Sequence, residues 1–147
     1  MASYRALFHF HHLLSAKKRA AIRALAADLR VHSLCKTGHP GLLVLLCTPA
    51  CGSADASAAD RVAAFVRAVK AMRWQTCSLR SAEPFAGDGP IPVDLYVEVD
   101  RTSAVHDHVR VYGADCAAWF DAAMGYRSGG PEAGSAPGLT RGRSRRR

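Results

Sequence analysis

No asparagine occurs anywhere in the 147 residues. No run of eighteen apolar residues occurs either, which excludes a membrane-spanning helix on sequence grounds. Charged residues and histidines interrupt every apolar stretch near the N-terminus, so a secretory signal is not expected and the chain reads as soluble and intracellular. Catalytic signatures are missing: there is no G-x-S-x-G elbow, no P-loop and no glycine-rich nucleotide fingerprint. Acidic residues are scarce at first. Residues 1–81 hold twelve Lys/Arg against three Asp/Glu, a net of +9.

What is present is unevenly charged. Residues 82–138 hold three basic and nine acidic residues, a net of −6, and residues 139–147 add five arginines, giving +8 overall. A basic first part of this kind argues for a polyanionic partner. The arginine tail Arg141–Arg147 suits either non-specific RNA binding and a nuclear address or simple solubilisation. Five cysteines, Cys35, Cys47, Cys51, Cys77 and Cys116, are an odd number for a disulfide framework and read as reduced, mostly buried thiols. A four-thiolate zinc site is disfavoured because their spacing lacks paired C-x2-C units.

Periodicity orders the first 80 residues. Residues 4–10 alternate as a strand, with Tyr4, Ala6, Phe8 and Phe10 on one face. Ser15 is placed to cap a helix to about Arg30 whose stripe is Ile22, Leu25, Ala26 and Leu29. A short strand over 31–36, the turn Thr37–Gly41 and a continuous apolar strand over 42–47 follow. Ser57 with Asp60 opens a second helix over 57–72 bearing Val62, Phe65, Val66 and Val69. Trp74 and a strand over 75–80 close the unit. Strand, helix, two strands, helix, strand predicts an α+β protein with a ferredoxin-like split βαβ core over 1–85, an antiparallel sheet with two helices on one face. Residues 86–127 are expected to pack on it as an extension: a strand over 93–100 with a hairpin partner at Val105–Tyr112, then a helix capped by Asp115 and ended by Gly125. From residue 128 the composition reads as a disordered tail.

Two features stand out as candidate chemistry. The first helical turn carries Lys17, Lys18 and Arg19, with Arg23 one turn on. Cations are unfavourable there by roughly 0.3–1 kcal/mol each, so they either face water or hold an anion. Immediately before them lies H-x-H-H, His9, His11 and His12. His9 and His11 have the spacing of a strand chelate, but stacking or phosphate contact suits these histidines better than a metal. Acylphosphatase is the enzyme most suggested by this topology, and it would require a catalytic asparagine, which is absent. No enzymatic activity, cofactor, metal or small-molecule substrate is therefore expected.

His11-His12, then Lys18-Arg19, an amphipathic helix, the turn Gly38-His39-Pro40-Gly41, an apolar strand, a second helix and Trp74 together resemble the C-terminal domain family of the spliceosomal pre-mRNA-processing factor three, which also occurs behind RWD domains. The resemblance covers about residues 4–85. It implies a ferredoxin-like fold, RNA as partner within a ribonucleoprotein, a nuclear location (the cytoplasm being the alternative), and RNA contacts at His11, His12, Lys18, Arg19, Gly38, His39, Pro40 and Gly41. His39 stands where the family has lysine, and the acidic segment 86–125 has no counterpart. The alternative is a protein-interaction module that docks a partner through the open sheet edge and the acidic hairpin.

Overall fold

The structure is a computed structural model that describes residues 2–49, 56–86 and 94–126. The arginine tail, Cys51, Val93 and the segments 50–55 and 87–92 lie outside the described residues.

The fold is α+β, a five-stranded mixed open sheet with four helices. In chain order the elements are β1 (Ser3–Phe10), α1 (Ala16–Leu29), β2 (His32–Lys36), β3 (Gly41–Cys47), α2 (Ala58–Ala71), β4 (Cys77–Phe85), β5 (Tyr96–Val99), α3 (Thr102–Arg110) and α4 (Ala114–Met124). The strand order is β4-β1-β3-β2-β5. The first four strands pair antiparallel, and β5 adds to β2 in parallel.

The local signals read correctly where they are capped. Ser15 accepts the Lys18 amide at the start of α1, and Ser57 accepts the Asp60 amide at the start of α2. The unbroken apolar run of β3 is wholly buried because it is the central strand, with a core on each side. One core joins Ala6, Phe8 and Phe10 to Ile22 and Ala26 of α1 and Val62, Phe65 and Val69 of α2. Arg61, at the start of α2, reaches the carbonyls of Leu29, Arg30 and Thr48, and so ties the end of α1 to α2.

Residues 94–126 depart from expectation. Val105–Tyr112 is not a hairpin strand: Thr102–Arg110 is the helix α3. Val105, Val109 and Tyr112 recur at i, i+4 and i+7 and are all buried, whereas Val111, which a strand would set on one face with Val109, is 69% exposed. With no hairpin partner, β5 pairs along β2 instead. α3 and α4 form a second core with Leu7, Leu34, Leu42, Val44 and Leu46, so the second face of the sheet is covered by this extension. Gly113, at φ +113°, is the cap of α4, and Asp115 sits in its first turn; Gly125 ends that helix in the left-handed conformation as expected. β4 runs on to Phe85, beyond the expected 75–80. Pro84 is tolerated because β4 is an edge strand and pairs only with β1.

The second layer is tied down by Arg5, a buried cation on the sheet. Its Nε and Nη2 donate to Glu83 Oε1 at 3.1 and 2.6 Å, and its Nη1 donates to Asp115 Oδ2 at 2.9 Å. The guanidinium lies 5.2 Å from the Phe85 ring centre and 4.9 Å from that of Trp119.

Candidate functional site

β1 ends at Phe10, and His11–Leu14 carry the chain from the sheet to the Ser15 cap. Leu13 in this crossing is buried and forms an isolated bridge with Gly38: its N–H donates to the Gly38 carbonyl at 3.0 Å, and the Gly38 N–H returns a bond at 3.1 Å. The bridge lays the crossing segment over the β2–β3 turn. Gly41 makes the close approach possible, since a Cβ there would stand 2.5 Å from Leu13 Cβ and 2.9 Å from its backbone nitrogen.

The consequence is a three-imidazole cluster. The ring centres of His11 and His12 are 5.5 Å apart, those of His11 and His39 5.5 Å, and those of His12 and His39 5.3 Å, all meeting edge to face. His11 and His39 are exposed and His12 is half-buried. Behind the turn, buried Lys36 donates from Nζ to the Pro40 carbonyl at 2.7 Å across the cis His39–Pro40 segment. Burial pushes the Lys36 ammonium below its ordinary value, and Asp100 opposes the shift.

A cavity of about 40 Å³ adjoins the cluster, lined by His11–Ser15, Lys18 and Trp74–Thr76. Trp74 is stacked on Phe10, ring centres 4.2 Å apart, and its indole N–H donates to the Val69 carbonyl. Lys18 Nζ sits 4.3 Å from the Trp74 ring centre and donates to the Arg73 carbonyl. A volume of this size holds water or the oxygen atoms of an anion rather than a base. Leu14, at the rim, is 56% exposed.

The four cations expected to share one phosphate site are divided by the turn of α1. Lys18 lines the cavity and Lys17 is exposed. Arg19 faces the other way and pairs with Glu98 at 3.2 Å, and Arg23 stacks 4.8 Å from the Tyr96 ring centre. Glu98 also accepts the Tyr96 hydroxyl at 2.6 Å; that bond, followed by Arg19, holds its carboxyl below the usual carboxylate range. Burial, with the bond to Glu98, pushes the Tyr96 phenol up. Together Arg19, Arg23 and Glu98 line a separate groove of about 210 Å³ along α1.

The predicted residues thus fall into two groups. His11, His12, His39, Lys18 and the Gly38–Gly41 turn come together; Arg19 and Arg23 do not join them. Trp74 as the cavity floor and Leu14 as its rim were not singled out as site residues by sequence. The polar alternation Tyr96-x-Glu98 was the only signal that a carboxylate would reach Arg19.

His9 and His11 do not share a strand face, because β1 stops between them, and burial and then Arg80 push the His9 ring below its ordinary value. Cys35, Cys47 and Cys116 are buried and Cys77 is half-buried; burial raises the Cys35 thiol to about 11. Among the described residues no group of three or more His, Cys, Asp or Glu side chains is arranged to hold a metal ion. No helix among them is long and apolar enough to cross a membrane. In comparisons with known proteins, no family model and no curated protein matches the chain.

Proposed function

We propose that the protein is a non-enzymatic RNA-binding protein and acts in a ribonucleoprotein, with a nuclear splicing particle as the candidate. The observation that carries this reading is the triangle of imidazoles formed by His11, His12 and His39. It offers ring faces and edges for bases and N–H donors for phosphate. Exposed Leu14 adds apolar contact, and Lys18 and Lys17 add positive charge.

Two further points support it. The order β4-β1-β3-β2, with α1 and α2 sharing one core, is the arrangement expected of a ferredoxin-like split βαβ unit. The sequence resemblance to the splicing-factor domain joins the same two segments, His11-His12 and Gly38–Gly41, that the Leu13–Gly38 bridge brings together. The alternative, a partner docked through the sheet edge and an acidic hairpin, loses one support: the hairpin does not form, since Thr102–Arg110 is helical, while β4 and β5 stay at the edges of the sheet.

The test is the salt dependence of binding to a short single-stranded RNA. Affinity is expected to fall steeply with salt, and Lys17→Gln with Lys18→Gln to lower the logarithmic slope by about one for each phosphate no longer engaged. Binding that stays flat between low and high salt overturns the proposal.

A further inference from the structure

The seven histidines of the chain are not equivalent in what answers their charge. His106 faces the Asp121 carboxylate at 3.3 Å. His32 is bonded to a backbone carbonyl and to His108. His9 is half-buried on β1, near Arg80 of β4. His11, His12 and His39 stand apart in being gathered into one cluster of three rings, and among the described residues no carboxylate hydrogen-bonds or ion-pairs with any of them.

The charged groups around the cluster are positive. From α1, Lys18 lines the adjoining cavity, with exposed Lys17 beside it in the chain. From β2, Lys36 reaches the Pro40 carbonyl next to His39. Just beyond α2, Arg73 contributes its carbonyl to Lys18. At the start of β4 the neighbouring titratable group is Cys77, a thiol that burial keeps in its neutral form. Asp100, beyond β5, acts on Lys36. A proton placed on any one of the three rings therefore has two further imidazoles as neighbours, with Lys18 lining the adjoining cavity, and among the described residues no carboxylate is bonded to that ring.

We infer that the His11–His12–His39 cluster couples RNA binding to proton uptake: phosphate diesters supply the missing negative charge, and the protein grips RNA more tightly as the solution acidifies. This rests on the RNA reading above and adds its regulation. The physical basis is reciprocity. If a bound phosphate favours the charged imidazoles, the charged imidazoles favour bound phosphate by the same factor. Histidine is the side chain whose ordinary titration range makes such a coupling operate near neutral pH.

The experiment uses the full chain and a fluorescein-labelled oligouridylate at constant ionic strength, with the helical circular dichroism signal verified intact at each pH. Between about pH 7.5 and about pH 6 the wild type is expected to gain roughly 10-fold or more in affinity. His39→Gln and the double variant His11→Gln/His12→Gln, which keep polar side chains of similar reach but cannot take up the proton, are expected to gain less than about 3-fold. Calorimetry in two buffers of different ionisation enthalpy reads the coupling directly, as unequal heats for the wild type and a smaller difference between buffers for His39→Gln, at RNA concentrations that saturate both proteins. A wild-type affinity that does not change with pH, or that changes equally in the variants, overturns the coupling and leaves RNA binding standing. No binding at any pH overturns RNA binding itself and the coupling with it.

Discussion

His32 Nε2 and His108 Nε2 lie 3.1 Å apart, so one of the two rings must donate to the other. His32 Nδ1 is 2.6 Å from the Asp94 carbonyl, an acceptor, which places a proton on that nitrogen and leaves Nε2 to accept from His108. The rings stack with centres 5.3 Å apart, joining β2 to α3 beside the Tyr112 ring of the second core.

Acid should loosen this joint. Burial pushes both rings below the ordinary histidine value of 6.5; for His32 the Asp94 carbonyl opposes the shift and His108 adds to it. The unfolded chain then takes up protons that the folded chain refuses, so the stability these groups contribute is present above about pH 6.5 and is lost as pH falls through their lower folded values. Denaturant midpoints at several pH values are expected to show this loss. His108→Phe should flatten that part of the profile, while lowering stability at neutral pH by about 1–3 kcal/mol because His32 Nε2 loses its donor.

Arg5→Ala should destabilise the fold by about 2–4 kcal/mol, measured by chemical denaturation, since it removes a buried cation together with its contacts to Phe85 and Trp119. Arg5→Lys should recover only part of this. An ammonium keeps the charge but cannot span Glu83 and Asp115 while lying flat between two rings. A lysine variant as stable as the wild type would show that charge alone suffices at this position.

Gly41→Ala should cost about 1–3 kcal/mol, because the new methyl group meets backbone and Cβ atoms of Leu13 rather than a flexible side-chain end. Leu13 and Gly38 would separate, and His12 would move from His39. RNA affinity should therefore fall along with thermal stability, although Gly41 itself offers no side chain to a ligand.

Arg19 and Lys18 are neighbours in sequence and should behave differently. Arg19→Gln releases Glu98 on the β5 side and is expected to leave the salt slope of RNA binding nearly unchanged. Lys18→Gln removes a charge at the cavity and should lower the slope by about one. Equal effects would place both cations on one phosphate track.

Much of the first 80 residues was legible because its signals are local. Ser15 and Ser57 announce helix starts, and the short apolar run over 42–47, bounded by turn residues and with no polar face, reads as a buried strand. The spacing of Val105, Val109 and Tyr112 fits a helix, but Val111 lends the same stretch a false alternation, and only its exposure resolves the choice. The candidate site was legible as two separate motifs. Their union depends on a backbone bridge between Leu13 and Gly38, twenty-five positions apart, for which periodicity carries no trace. The division of the cations was hidden for the same reason, since it depends on where β5 sets Glu98.

The chain has two tryptophans, and the fold gives one to each side of the sheet. Trp119 is buried beside Arg5 in the second layer and donates to the Ser81 hydroxyl at 2.8 Å. Trp74 floors the cavity under Lys18. Replacing Trp119 by Phe leaves a single emitter at the cavity, and replacing Trp74 by Phe leaves one in the α3–α4 layer. The two variants are thus a matched pair of optical probes: ligand arrival at the histidine triangle and detachment of the helical layer can be followed separately in the same protein, without an added label.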